Sequence, residues 1–402
     1  MRTVMTKSRT WTDEHTGRTI YQLTQSTGGA TVGYFRCPRY LPGGFVLGHE
    51  YGEDGSKRRA TLLAIHIESG EALPVLDRRS SVLRVRERDG VAWFTHGRSW
   101  RRHDAATDEQ PDRGVYEVKL PGEVGDARQV GELPDEPRGV LSATTSDDRT
   151  LIYVDSVQPD ASQYPAPSDG KVETFWHYFS RPRSCKLWAY DLVDKAWTQL
   201  AEVDGHCLAH TDTCPGDAGL LKFSEDRFEA EAQRIWTVRT DGSGLRKIRP
   251  QQPGEMVMHE WWHKGGEAIG FKYLDRRADA TLRDKPWGEY APVPLHLGLA
   301  DLEGNQIYLS DPMQHYQIHM LTSDDGRWVS GEGTDGHLFV QAAPFDISRT
   351  RIDLQPLATI HSQVLPFSGA GINNSFTPDG EWIVYNDTID GRKQVCAVRT
   401  VE

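Results

Sequence analysis

The sequence has no run of about 18 apolar residues, and none of its segments therefore has the length of a membrane-spanning helix. Nor does an apolar stretch follow the basic, polar start at residues 1–10, as a secretory signal requires. The five cysteines (Cys37, Cys185, Cys207, Cys214 and Cys396) form no Cys-x-x-Cys pair. That disfavours a disulfide framework and a zinc ribbon, and points to reduced thiols in a cytoplasmic protein. Positive charge is short as well. A formal net charge of −12 argues against nucleic-acid binding, although a local arginine or metal cluster can still attract a small anion. No Gly-x-Ser-x-Gly elbow is present, which disfavours a serine hydrolase. Helical periodicity is scarce: the one candidate, 225–234, and the proline-rich stretch 158–168 both read as loops.

What the sequence does have is a repeat. An apolar strand, an acidic or glycine turn and a second strand recur as LLAIHIESGEALPV (62–75), VYEVKLPGEVGDARQV (115–130) and LWAYDLVDKAWTQL (187–200). The pattern continues as IWTVRTDGSGLRKI (235–248), LGLADLEGNQIYLS (297–310), LFVQAAPFDISRTRIDL (338–354) and a truncated QVCAVRTVE (394–402). Each is a hairpin signal, and a spacing of roughly 55 residues suits a propeller repeat with loop insertions. The last copy lacks its outer strand, while TWTDEHTGRTIYQLT (10–24) supplies one without an inner partner. Pairing the two ends would remove the open sheet edges. The expectation is an all-β, seven-bladed propeller occupying 1–402 as a single domain. Two stacked sandwiches are the alternative.

Candidate chemistry is concentrated in three segments. In MHEWWHKGGEAIGF (258–271), His259 and His263 flank Glu260 and two tryptophans. A helical His-Glu-x-x-His protease site is disfavoured, because the Lys-Gly-Gly turn that follows reads as part of a hairpin. In QHYQIHMLTSDDGRW (314–328), a strand over 315–319 would turn His315, Gln317 and His319 to one face, with Gln314 just ahead. Imidazole and amide groups gathered in this way suit Mn²⁺, Zn²⁺ or a related ion; a hydrogen-bonded face without metal is the other reading. In HCLAHTDTCPGDAGLLKFSEDR (206–227), His210 could be a general base, since the unperturbed pKa of histidine is near operating pH, or be held by turn backbone, and Glu225, Asp226 and Arg227 follow. Arginines in loops (Arg36, Arg39, Arg181, Arg183, Arg276, Arg277) could bind carboxylates. Trp176, Trp261 and Trp262 could stack on sugars, although a core position is the commoner fate of tryptophan.

Taken together, WTDEHTGRTIYQLT (11–24), AHTDTCPGDAGLLKFSEDR (209–227), RIWTVRTDGS (234–243), HEWW (259–262) and FTPDGEWIVY (376–385) resemble, in order, the oligogalacturonate lyase family. Members of that family are cytoplasmic seven-bladed propellers that cleave short pectin fragments by β-elimination. The resemblance implies Mn²⁺ held by His259 and by a Gln-x-x-His-x-His cluster. Gln314, Gln317 and His319 match that cluster by position; Gln317 replaces its middle histidine, and His315 is a possible substitute. The family's catalytic histidine follows a Phe-Cys pair, and here the run is Phe223-Ser224-Glu225. His210 or Glu225 is then the candidate base, Arg227 or Arg183 the carboxylate partner, and Trp261 and Trp262 the substrate-stacking residues. The implied partner is an acidic oligosaccharide. The departures at 224 and 225 leave room for a different acidic saccharide, and a non-catalytic binding propeller is the reading from another class.

Overall fold

The computed structural model describes residues 8–33, 40–53, 61–76, 80–86, 90–96, 114–119, 127–132, 140–144, 149–157, 184–204, 207–226, 233–275, 294–335, 337–361 and 371–401. Their strands form seven antiparallel sheets, the blades of a β-propeller, each running from an inner to an outer strand. Blade 1 comprises Ala30–Val32, Phe45–Glu50, Thr61–His66 and Ala72–Leu76, with Tyr40–Leu41 continuing its inner edge. Blade 2 comprises Ser80–Arg86, Val91–His96, Gly114–Lys119 and Arg128–Glu132. Blade 3 comprises Val140–Thr144, Thr150–Val157, Ser184–Asp191 and Trp197–Asp204.

Blade 4 follows with Cys207–Thr213, Leu220–Asp226, Ile235–Arg239 and Arg246–Lys247. Blade 5 comprises Glu255–His263, Ala268–Asp275, Leu295–Ala300 and Gln306–Leu309. Blade 6 comprises Gln317–Thr322, Trp328–Asp335, His337–Pro344 and Gln355–Thr359. Blade 7 joins the two ends of the chain. Ser375–Phe376, Trp382–Ile389 and Arg392–Arg399 are followed in the sheet by Thr19–Gln22 and Arg9–Thr12, with Gln22 opposite Cys396.

The repeated hairpins of the sequence are the third and fourth strands of blades 1 to 5; in blade 6 the copy at 338–354 covers only the third strand, the fourth beginning at Gln355, and the truncated copy is the third strand of blade 7. The Ser/Thr-x-Asp-Gly turns have a common structure. Ser323 and Thr377 donate their hydroxyls to Asp325 and Asp379, and accept the backbone N–H of Trp328 and Trp382. Such local side-chain bonds fix the turn before any distant contact is made.

The alternating strands bury apolar residues on both faces, and the core lies between neighbouring blades. Leu187, Val203, Leu221 and Phe223 pack blade 3 on blade 4; Ile235, Ile248, Val257 and Phe271 pack blade 4 on blade 5. Val46, Ile65, Val384 and Val395 do the same for blades 7 and 1. The junction of blades 7 and 6 is pinned by Asp13. Its carboxylate accepts the backbone N–H groups of His15, Thr16 and Thr359 and the hydroxyl of Thr359.

Candidate functional site

The inner strands of blades 4, 5 and 6 are each interrupted by a bulge, between Ala209 and Asp212, Met258 and Trp261, and Gln317 and Met320. One extra residue per bulge re-aims side chains that strict alternation would send elsewhere. The inserted pairs are His210-Thr211, His259-Glu260 and Ile318-His319. His210 and His259 occupy the same place in consecutive blades, and both adopt left-handed backbone, with φ of 54° and 53°. That conformation is uncommon for a residue with a side chain, though histidine enters it more readily than most.

Glu260 is fully buried and turned toward blade 4. Its carboxylate accepts the Ser224 hydroxyl at 2.5 Å and the Arg234 Nε–H at 2.9 Å, and it faces His210 Nδ1 at 3.0 Å. Arg234 Nη2 also lies 3.1 Å from His210 Nδ1. A buried carboxylate with a guanidinium and two further polar partners satisfies the requirement that interior charge be paired.

On the other side of the same bulge, the His259 ring lies 4.7 Å, centroid to centroid, from that of His319. His319 Nδ1 is 2.8 Å from Glu332 Oε2, and the other oxygen of Glu332 accepts the Asn374 backbone N–H. Burial, followed by the nearby charges of Lys272, His319, Arg234 and His210, holds His259 well below the ordinary histidine range, so its imidazole is neutral. Lys272 is also buried, which lowers it to about 7 against the opposing pull of Glu332. Its ammonium donates to the Gln317 and Ile318 carbonyls and to the Tyr316 hydroxyl, clamping the blade 6 bulge from blade 5.

His210, His259 and His319 are thus brought into one polar belt by three neighbouring bulges, and the other sequence candidates are placed differently. Gln317 begins its strand, and the bulge after it breaks the expected common face. Its amide donates to Gln341 Oε1 and lies over Gly331 and Gly333, whereas His319 joins Glu332 on the opposite face. Gln317 Oε1 is buried without a hydrogen-bond partner. Gln314 is exposed and His315 half-buried in the bend ahead of the strand. Glu225 is adjacent to Ser224 on a regular strand; since Ser224 reaches blade 5, Glu225 is directed to the other face.

Trp261 is a core residue. Its ring covers Gly270, and its Nε1–H donates to the Thr322 hydroxyl. Trp262 is half-buried, 5.8 Å from the Lys222 ammonium. Arg227, Arg183, Trp176 and the loop arginines Arg36, Arg39, Arg181, Arg276 and Arg277 lie outside the described residues. Nothing in the sequence marks Glu260, Arg234, Lys272 and Glu332 as functional residues. Each bonds a residue 13 to 50 positions away, and no local pattern marks such pairs.

Among the described residues, no group of three or more His, Cys, Asp or Glu side chains is arranged to hold a metal ion. Two imidazoles nonetheless suit one. His259 is held neutral, and His319 has Nδ1 against a buried carboxylate, the arrangement that orients a metal-binding imidazole. The fit does not extend to Gln317, whose amide is bonded to Gln341 on the other face.

No protein-family model matches the chain. Oligogalacturonate lyase of Dickeya dadantii is 26% identical over 250 residues, 56% of this chain and 58% of that protein, so the match spans less than two thirds of the relative's length. Oligogalacturonide lyase of Pectobacterium atrosepticum is 25% identical over 286 residues, 66% of this chain and 67% of that protein. Among solved structures, an oligogalacturonate lyase in complex with manganese is similar with a TM-score of 0.71 at 17% identity, covering 98% of this chain and 96% of that one. At that identity the likeness establishes the fold.

Proposed function

We propose that this protein is a lyase that cleaves short uronate-containing oligosaccharides, such as oligogalacturonides, by β-elimination in the cytoplasm. The observation that carries the reading is the convergence of His210, His259 and His319 on three adjacent bulges, each set beside a buried carboxylate or a second imidazole. Similarity to the two lyases supports the substrate class.

In a 4-linked uronate, elimination removes the proton at C5 and breaks the C4–O bond. The C5–H electron pair forms the C4=C5 double bond, and the C4–O pair leaves with the glycosidic oxygen, which takes up a proton. His210 is the base in this reading: it carries an imidazole nitrogen, the commonest proton-transfer group, and its side chain retains 13% exposure. Glu225 is directed to the other face of its strand. A divalent ion such as Mn²⁺, held by His259 and His319, would offset the substrate carboxylate's charge and so make the C5 proton more acidic. Glu332 orients His319 for that task, and Lys272 fixes the backbone on which His319 is carried.

The test is ultraviolet absorbance of the unsaturated product during incubation with oligogalacturonates and other uronate oligomers, with added Mn²⁺ or with chelator. A metal-dependent rise is expected. His210→Ala should lower kcat by roughly 10²–10⁴-fold, the usual contribution of a general base. His259→Ala and His319→Ala should lose bound metal, measured by elemental analysis, together with activity. Full metal content and full activity in both variants would overturn the assignment.

A further inference from the structure

We infer that Glu260 is a positioning residue that fixes the proton of His210 on Nδ1, leaving Nε2 as the nitrogen that accepts a proton. The catalytic consequence rests on the lyase reading above, whereas the proton's location does not.

His210 Nδ1 lies between two groups with opposite requirements. Glu260 Oε1, at 3.0 Å, can only accept; Arg234 Nη2, at 3.1 Å, can only donate. An imidazole nitrogen without a proton would set its lone pair against a carboxylate oxygen in a site without water-like screening. A protonated Nδ1 leaves Arg234 still bonded through Nε–H to the other carboxylate oxygen, at 2.9 Å. The carboxylate therefore prevails, and the neutral ring carries its hydrogen on Nδ1. Ser224 reinforces the choice. Its hydroxyl donates to the same Oε1 at 2.5 Å and holds that oxygen in place from the strand beside His210. Blade 4 thus supplies the histidine, the hydroxyl and the guanidinium, and the blade 5 bulge supplies the carboxylate that orders them.

Glu260→Gln provides the test, because it keeps the shape and removes the charge. With the carboxylate gone, Arg234 is the stronger partner of Nδ1, and the hydrogen should move to Nε2. Nitrogen-15 spectra of histidine-labelled protein, with His210 assigned from the His210→Gln spectrum, report the tautomer directly. The expected result is Nδ1–H in the wild type and Nε2–H in E260Q, with kcat down about 10²–10⁴-fold and KM little changed. If Arg234, left without its counter-ion, prevents folding, the double variant E260Q/R234M removes both charges; it should show mixed tautomers and an intermediate kcat. An Nε2–H wild type, or an unchanged Nδ1–H in E260Q or the double variant, overturns the inference. A wild type that shows the expected tautomer but yields no unsaturated product from any uronate overturns the lyase reading alone.

Discussion

At the scale of single residues, several positions in this protein are determined by what lies above them. Gly270 is one. A Cβ built there would stand 2.2 Å from Cε2 of Trp261, a ring already fixed by its bond to Thr322. Gly270→Ala should therefore cost about 1–3 kcal/mol through overpacking, read as a lowered denaturation midpoint, and it should disturb Glu260 next door. Gln317 illustrates the limit of reading ligands from spacing. His315, Gln317 and His319 share a face only on an unbroken strand, and nothing local in QHYQIH announces the extra residue. The candidate histidines stood out because potential ligands crowd into short segments, His259 and His263 around Glu260 and His315, Gln317 and His319 within five positions; their partners did not. Glu260 was visible within HEWW, yet its bonds to His210, Ser224 and Arg234 depend on the packing of one blade against another.

At the scale of strands and blades, one device recurs at the inner edge. The second strand of each of several blades sends a polar side chain to the inner strand of the next. Ser224 meets Glu260, Lys272 meets the Gln317 and Ile318 carbonyls, and Asn386 accepts the Val32 backbone N–H at 2.8 Å. Lys272 thereby satisfies backbone carbonyls at the blade 6 bulge and Asn386 a backbone N–H of the blade 1 inner strand, whereas Ser224 meets a side chain. Asn386→Ala should strand the Val32 N–H and the Gly371 carbonyl. We expect a loss of about 1–3 kcal/mol in chemical denaturation, while an exposed substitution such as Val193→Thr should have little effect. The hairpins themselves were readable from alternation and turn residues, and the third and fourth strands of blades 1 to 5 fall where the repeats predict, whereas in blade 6 the outer strand, Gln355–Thr359, starts just past the copy at 338–354. The inner strands were harder to recognise because the bulges disrupt their period.

At the scale of the whole molecule, two titratable groups near the closure of the ring respond to pH in opposite senses. Burial alone would raise Asp13, but the N–H groups of Thr359 and Thr16 and their hydroxyls outweigh it and hold the carboxyl below its usual value. Its contribution is present above about pH 4, the unfolded carboxyl range, and is lost as pH falls through the folded value. His361 is raised, chiefly by its hydrogen bond to Asp387, with burial opposing. Its contribution is complete below about pH 6.5 and is lost as pH rises through the folded value. Melting temperature against pH should therefore fall on both sides of a plateau. Asp13→Asn should flatten the acid limb and His361→Gln the alkaline one; unchanged limbs would contradict the assignment. Ring closure was legible from the truncated last repeat and the orphan strand at the start, since only pairing the ends leaves no sheet open.

That pairing also has a consequence in time. Gln22 emerges from the ribosome well before its partner Cys396. At about 5–20 residues per second, the interval between them is roughly 20–80 s. Throughout it, the hairpin of Arg9–Thr12 and Thr19–Gln22 carries an unpaired edge while six blades assemble beside it, so a nascent chain of this design needs that edge shielded until Arg392–Arg399 has emerged.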